Sequence, residues 1–556
     1  MAIDFRKHKD DLMFIPLGGT DEIGLNFYLY HYKGKWIIVD LGLGFADYHY
    51  PGVEILVPDI EFLDKIKKDL LGIVITHAHE DHIGAIQYLW PEIRVPIYAT
   101  KFTNAVLKSK LTDVNLSGDV KIHEVEVNGK VQIGPFDLEF VNLTHSIPEM
   151  HGILFRTDKG NVFHTGDWKF DDKPVIGNPI AKERLKAIGD EGVLALICDS
   201  TNIFNYGVSG SEGDLQRSLC DLIGSLEKGA VVVTTFASNV GRLASLMQIA
   251  DKVGRKIMFA GTSLWRMYHA ALDTGYLEGL QEPLHPKEFS KHARADLLIV
   301  ATGCQGERFA ATTKLAKVEH PDIRLNKDDT VIFASKIIPG NETKIFELFN
   351  IFCKNGIEVL TEKDHFVHVS GHPSRDEVEE MYKLIRPQYA IPMHGQTMHI
   401  HEHCNFVKEK KLAKPVQLHN GAVLKLAEDA LKVIGEVQTG YLAVDGNFIL
   451  PSDSEILQLR RRMRDHGLVV ITLLVDKRGT LLKTPQILAP GVLDSQDDVE
   501  YYEKLGDEIR DFFNIAGAKS ETEIETRVRN ITKRFFKNET AKEPRIFVQV
   551  ILMNNK

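Results

Sequence analysis

Apolar positions along this chain recur in two rhythms. Phe14-Ile15-Pro16-Leu17, Phe27-Tyr28-Leu29-Tyr30 and Trp36-Ile37-Ile38-Val39-Asp40 are short, rich in β-branched and aromatic residues, and read as strands; the Gly18-Gly19 turn separates the first two. Residues 61–66 read as helix, Gly72-Ile73-Val74-Ile75-Thr76 as a buried strand, and 83–90 as helix again. This alternation predicts an α/β layered domain. A second α/β stretch begins near residue 205, with a helix over 214–227 and buried strands at 230–234, 296–300 and 330–333. Residues 390–430 return to short strands and turns around Pro392 and Gly395. Beyond about 430, Gly440, Gly446 and Pro451 punctuate a connector. The last unit reads strand 468–475, helix 497–514, helix 522–536 and strand 545–553. Its helices are amphipathic and carry Phe512, Phe513, Phe535 and Phe536 near their ends.

Composition narrows the class. The 556 residues suffice for about three to four domains. Hydrophobic residues at 44% and charged residues at 26% exclude wholesale disorder. The net charge of −10 excludes a globally basic nucleic-acid coat but leaves room for a locally basic groove. Five cysteines without a CxxC pair argue against a disulfide framework and against a thiolate zinc site. The N-terminal residues are charged from Asp4 to Asp11, unlike a signal peptide. No apolar run approaches the ~20 residues of a membrane span. A cytoplasmic protein with no membrane partner is expected.

One segment carries most of the chemical information: Thr76-His77-Ala78-His79-Glu80-Asp81-His82, directly after the predicted buried strand. In extended chain, residues two apart point to the same side, so His77 and His79 can reach one ion. Asp81 and His82 then fall at the start of the following helix and face a second ion nearby. Three imidazoles and two carboxylates this close are costly to hold together without a cation, and the set suits Zn²⁺ or Mn²⁺.

HxHxDH after a hydrophobic strand resembles the signature of the metallo-β-lactamase superfamily. The resemblance implies further ligands: His145 in Asn142-Leu143-Thr144-His145, and Asp167 in Phe163-His164-Thr165-Gly166-Asp167-Trp168 as a bridge between metals. It also implies that Asp40 orders the site without binding metal. His77, His79 and His145 would then hold one cation, Asp81 and His82 the other, with Asp167 between them.

The stretch between Asp167 and the return segment resembles the β-CASP insertion of nucleic-acid-processing enzymes. Its motifs occur in order: Leu196-Ile197-Cys198-Asp199-Ser200-Thr201-Asn202, His368-Val369-Ser370-Gly371-His372, and Ile391-Pro392-Met393-His394-Gly395. They imply Asp199 and His372 as catalytic residues beside Asp81, and His394 as a seventh metal ligand. A histidine at this last position favours RNA over DNA. Gly18-Gly19-Thr20-Asp21-Glu22-Ile23-Gly24, Tyr50-Pro51-Gly52, Thr235-Phe236-Ala237-Ser238-Asn239, Thr302-Gly303-Cys304-Gln305-Gly306-Glu307 and Ile338-Pro339-Gly340-Asn341-Glu342 narrow the resemblance to the bacterial ribonuclease J family. Leu25, Gly241 and Gln396 depart from residues common there, at the rim of the substrate channel.

The fold implied is a metallo-β-lactamase αββα sandwich over 1–205 and 366–430. A β-CASP α/β domain is inserted at 206–365, a linker follows at 431–456, and a small α+β domain closes the chain at 457–556. The function implied is a two-metal ribonuclease acting 5′→3′ from 5′-monophosphate ends, with internal cutting also open to it, in RNA maturation and decay. Two cations about 3.5–4 Å apart hold a hydroxide and clamp a phosphate oxygen; zinc is expected, manganese or magnesium being alternatives. His372, with Asp199 as its hydrogen-bond partner or proton relay, is expected to protonate the leaving 3′-oxygen. His368, Val369, Ser370, Gly371 and His372 read as a phosphate cradle, with Ser238, Asn239 and Val240 as its other wall. The C-terminal unit has no ligand cluster, and the family implies a homodimer or homotetramer through it.

Three features carry less weight. Arg460-Arg461-Arg462-Met463-Arg464 reads as a solvated charged face as readily as an RNA patch. His399, His401 and His403 read as core or supporting histidines, and Cys198 as a small buried apolar residue. Two competing classes remain: a small-molecule hydrolase, which needs neither the insertion nor Asp199, His372 and His394; and an inert RNA-binding scaffold, which would have lost ligands.

Overall fold

The computed structural model describes residues 3–427, 430–515 and 520–553. The chain divides into two compact units: Met1–Gly44 with Val57–Gly440, and Phe45–Leu56 with Tyr441–Lys556.

In the first unit two sheets face each other. The eight-stranded sheet runs, in spatial order, Lys432–Glu436, Ala422–Leu426, Leu12–Gly18, Phe27–Tyr32, Lys35–Val39, Leu70–Val74, Ile97–Ala99 and Ile122–Glu124. The seven-stranded sheet runs Lys130–Ile133, Phe136–Asn142, His151–Arg156, Val162–His164, Ala195–Asp199, Tyr389–Met393 and Lys414–Pro415. Phe14, Tyr30, Val39 and Val74 of the first meet Phe140, Phe155, Ile197 and Ile391 of the second in one buried core. The stacked rings of Tyr30 and Phe155, 4.1 Å apart, sit within it. Helices Lys182–Glu191, Arg375–Ile385 and Thr397–Glu409 bury Leu185, Ile188, Met381, Tyr382 and Phe406 in the core of the second sheet's outer face. The result is an αββα sandwich.

The chain leaves the second sheet after Ala195–Asp199 and returns as Tyr389–Met393, its parallel neighbour, with Asp199 paired to Met393. Between them lies a five-stranded parallel sheet ordered Lys256–Ala260, Leu297–Ala301, Val231–Thr234, Thr330–Phe333 and Glu358–Leu360. Its three central strands are continuous apolar runs, as burial on both faces requires. Side chains fix where its helices begin: Ser211 accepts the Gly213 amide ahead of Glu212–Ser225, and Asn239 accepts the Arg242 amide ahead of Val240–Val253.

In the second unit Leu468–Asp476 pairs in parallel with Arg545–Met553 and antiparallel with Gln486–Leu488. Leu505, Ile509, Val528, Phe535 and Phe536 from helices Val499–Ile515 and Glu521–Thr540 pack with Val469, Ile471 and Leu473.

Three expectations are corrected. Residues 61–66 form not an α-helix but a 3₁₀ turn, Glu61–Lys65, held by i→i+3 bonds such as Leu63 N to Ile60 O and Ile66 N to Leu63 O. The helix expected over 83–90 is split into Glu80–Ile83 and Ile86–Ile93. The segment 431–456, expected as a linker, carries three strands. Lys432–Glu436 extends the first sheet, and Tyr441–Asp445 with Phe448–Pro451 forms a hairpin whose turn uses Gly446 at φ 62°. Among the described residues no helix is long and apolar enough to cross a membrane.

Candidate active site

Five strands deliver polar residues from their C-terminal ends. Lys35–Val39 is followed by Asp40, Leu70–Val74 by the loop of His77 and His79, Val162–His164 by Asp167, and Tyr389–Met393 by His394; Asp199 ends its own strand. The last three strands are consecutive parallel neighbours, so residues far apart in sequence emerge side by side. Asp40 and His394 adopt left-handed backbone, φ 59° and 50°. Such strain in non-glycine residues is a feature of built sites.

One group of donors comprises His77, His79, His145 and Asp167. Thr76 Oγ1 donates to Asp40 Oδ2 at 2.8 Å and so accepts from His77 Nδ1 at 3.0 Å, leaving His77 Nε2 bare. His145 Nδ1 donates to Gly371 O at 2.5 Å, leaving its Nε2 bare as well. Both bare nitrogens stand 3.1 Å from His79 Nδ1, and 3.9 and 4.0 Å from Asp167 Oδ2. A tetrahedron with bonds near 2.1 Å has edges of about 3.4 Å, so one cation fits among these atoms. Burial pushes His77 and His145 well below the usual histidine range and His79 down to about 4. All three therefore present the neutral form that binds metal.

The second group is Asp81, His82, Asp167 and His394. His82 Nδ1 donates to Asp40 Oδ2 at 2.7 Å, and its Nε2 lies 3.2 Å from Asp167 Oδ2 and 3.5 Å from Asp81 Oδ2. His394 Nε2 is 3.3 Å from Asp81 Oδ2. Its Nδ1 approaches Asp167 Oδ1 to 2.7 Å, yet both imidazole nitrogens of His394 and Asp167 Oδ1 are buried without a hydrogen bond. Burial alone would pull His82 and His394 down. The carboxylates of Asp167 and Asp81 reverse it, raising His82 well above its ordinary range and His394 to about 10. The pocket thus draws positive charge, and orphaned donors around shared carboxylates fit a divalent cation. A third group, Asp167, Asp199, His372 and His394, adjoins the other two.

His372 Nδ1 meets Asp199 Oδ2 at 2.7 Å, while Thr201 N and Oγ1 donate to Asp199 Oδ1 at 2.8 and 2.7 Å. Asp199 is thereby locked, and His372 keeps Nε2 for another partner. Ser370 Oγ accepts from Asn202 Nδ2 and from His372 N. A narrow pocket is lined by His145, Ser146, Lys169, Asn239, Ser370 and Gly371. Of the two expected walls, Asn239 on one side and Ser370 and Gly371 on the other face this space, whereas Ser238, His368 and His372 are not among its lining residues. Val369 and Gly241 also line it. Val240 is fully buried and its amide donates to Ser238 O, so it backs the wall instead of facing the pocket. His368 is pushed down to about 3 by burial and then by Arg242 and Lys336, with Nδ1 lacking a hydrogen bond.

The three alternating histidines need correction. They lie on helix Thr397–Glu409, where residues two apart sit about 200° round the axis. Only His403 is in the core, bonded to Ser200 Oγ and Tyr382 Oη; His399 is half-buried and His401 exposed. Arg460 pairs with Asp445, and Arg464 with Asp465 and the Tyr48 carbonyl.

Sequence reasoning passed over Asn26 and Asn202. Asn26 is fully buried; Tyr28 Oη donates to its Oδ1 at 2.8 Å, aiming Nδ2 at His82 Nε2, 3.0 Å away, and at Asp81 Oδ2, 3.4 Å. A polar residue immediately ahead of the apolar run 27–30 was the available signal.

Comparison with known proteins agrees with this architecture. Residues 35–188 match the beta-lactamase superfamily domain, and 228–352 the ribonuclease J beta-CASP domain. Residues 356–416 match the Zn-dependent metallo-hydrolase RNA specificity domain, and 455–553 the ribonuclease J C-terminal domain. Ribonuclease J of Sinorhizobium meliloti is 38% identical over 498 residues, 89% of this chain and 88% of the relative. That of Thermus thermophilus is 33% identical over 98% of this chain and 96% of its own. Ribonuclease J 1 of Streptococcus pyogenes is 33% identical over 97% of each. A solved Enterococcus faecalis protein of unknown function shares the fold over 75% of this chain and all of its own, with a TM-score of 0.51 at 18% identity.

Proposed function

The chain belongs to the ribonuclease J family, and on that premise we propose that it shortens RNA stepwise from a 5′-monophosphorylated end. It is a metal-dependent ribonuclease with metallo-β-lactamase, β-CASP and ribonuclease J C-terminal domains. In this reading His77, His79, His145 and Asp167 hold one cation and Asp81, His82, His394 and Asp167 a second, zinc or manganese by their chemistry. When bound, the pair supplies water of lowered pKa and positive charge against the phosphate.

The protein's own groups do the rest. Asp40 fixes the tautomer of His82 through Nδ1, and Gly371 fixes that of His145. Asp199 holds His372 Nδ1, so that Nε2 carries the proton for the departing 3′-oxygen. The Ser370 hydroxyl and Asn239 receive phosphate in the pocket beside His145. A homodimer or homotetramer through the C-terminal unit and a cytoplasmic location complete the proposal.

The observation that carries this reading is the surroundings of Asp167. Its Oδ2 lies 3.2, 3.9, 3.9 and 4.0 Å from nitrogens of His82, His77, His372 and His145. Supplying the purified chain with Mn²⁺, Mg²⁺ or Zn²⁺ and 3′-labelled RNA tests it, using 5′-monophosphate and 5′-triphosphate ends and Asp81→Ala as control. Progressive loss from the monophosphorylated end alone is expected. Discrete internal fragments from both substrates would replace the stepwise reading with an endonuclease.

A further inference from the structure

We propose that Phe204 and His399 form a stacking surface for an RNA nucleobase next to the phosphodiester being cut. The inference rests on the ribonuclease reading above and adds a contact to the base, where the groups given a role in that reading act on metal, phosphate or the leaving oxygen.

The placement follows from two short tethers. The loop 200–206 leaves directly from Asp199, and Thr201 pins it by donating to Asp199 Oδ1 and, at 3.1 Å, to the His394 carbonyl. Phe204 stands three residues further on, 42% exposed. From the other side, helix Thr397–Glu409 begins three residues after His394. A Cβ on Gly395 would meet His399 Cβ at 2.8 Å and Ser200 Cβ at 3.2 Å, so His399 packs directly against the backbone that follows His394. The two tethers meet: the rings of Phe204 and His399 lie 5.2 Å apart at 69°.

Both rings are incompletely used by the protein. Phe204 is partly exposed and His399 half-buried, so their edge-to-face contact leaves ring surface open. His399 Nδ1 is buried and has no hydrogen-bond partner. The neighbours Met398, 57% exposed, and Tyr206, 81% exposed, continue an apolar rim, with the Arg375 guanidinium 4.7 Å over the Tyr206 ring. A large exposed aromatic beside a buried cluster of carboxylates and imidazoles is poorly placed for packing. It is well placed for a single-stranded chain whose phosphate enters the cluster, because such a chain brings a flat apolar base with every phosphate. All four bases have that face, so the contact adds affinity with little sequence preference.

The test compares wild type, Phe204→Ala and Phe204→Trp as full-length, Mn²⁺-loaded protein. Substrates are 5′-monophosphorylated single-stranded RNA and the same RNA with one abasic position moved along the nucleotides around the cut bond. Phe204→Ala is expected to raise KM about 5- to 50-fold, with kcat and metal content held, while Phe204→Trp stays near wild type. One abasic position should reproduce that rise in wild type, and on that RNA Phe204→Ala should lose nothing more. Equal KM for Phe204→Ala and wild type on intact RNA overturns the inference, as does a Phe204→Ala loss of constant size on every abasic RNA. Those results leave the ribonuclease reading standing; a wild type that cuts no RNA removes both.

Discussion

His145 and Gly371 are joined by a 2.5 Å hydrogen bond from the imidazole Nδ1 to the glycine carbonyl. The imidazole proposed to bind metal and the loop proposed to cradle phosphate are therefore one mechanical unit. A Cβ on Gly371 would stand 2.7 Å from His145 Cε1 and 2.9 Å from its Nδ1, closer than side chains approach. Gly371→Ala is expected to weaken metal binding at the His77–His79–His145 group as well as RNA binding, lowering activity at least about tenfold. Metal titration of the variant checks this; unchanged metal affinity would separate the cradle from the metal centre.

Asp40 approaches the centre only through others. It accepts from Thr76 N, Thr76 Oγ1 and His82 Nδ1, all within 2.8 Å. Asp40→Asn turns an acceptor into a donor facing His82 Nδ1–H. A loss of about 10- to 100-fold in metal affinity is expected, measured by competition with a chromogenic chelator.

In the proposed mechanism His372 transfers a proton and does not retain metal. His372→Ala should lower kcat by about 10²- to 10⁴-fold with both cations retained. Asp199→Asn combined with it should cost little more, since the two act through one hydrogen bond. Loss of a cation in His372→Ala would assign it to the metal site instead.

Arg242 offers a prediction about stability. It is fully buried, forms an ion pair with Glu212 through Nε and Nη2, and donates from Nη1 to the carbonyls of Ala334 and Val367. Arg242→Met strands the Glu212 carboxylate and two carbonyls, and should destabilise the chain by about 3–5 kcal/mol. Denaturant unfolding read by circular dichroism measures it.

What could be read from sequence divides along a physical line. The cluster His77–His82 was legible because its candidate ligands are sequence neighbours, in the loop after Leu70–Val74 and the helix Glu80–Ile83 that continues it. Strands such as 330–333 were legible because continuous apolar runs have few other fates. His145, Asp167, Asp199, His372 and His394 could be ordered only by family resemblance. What brings three of them together is the parallel pairing of Val162–His164, Ala195–Asp199 and Tyr389–Met393, a long-range fact that no local pattern encodes. Asn26 was missed because a single amide ahead of a strand looks like a turn residue. Its role depends on Tyr28 two positions on and on Asp81 and His82 from the helix Glu80–Ile83. The strand Lys432–Glu436 was missed because glycine and charge mask an edge strand that borrows its order from Ala422–Leu426.

The central claim is that seven side chains, carried after four strands, Leu70–Val74, Phe136–Asn142, Val162–His164 and Tyr389–Met393, grip two cations that share Asp167. Anomalous diffraction at the zinc edge from crystals of the zinc-loaded chain tests it most directly. Two peaks are predicted, one against His77, His79 and His145 and the other against Asp81, His82 and His394, with the Asp167 carboxylate touching both. A single peak, or peaks that leave Asp167 or His394 uncoordinated, would contradict it.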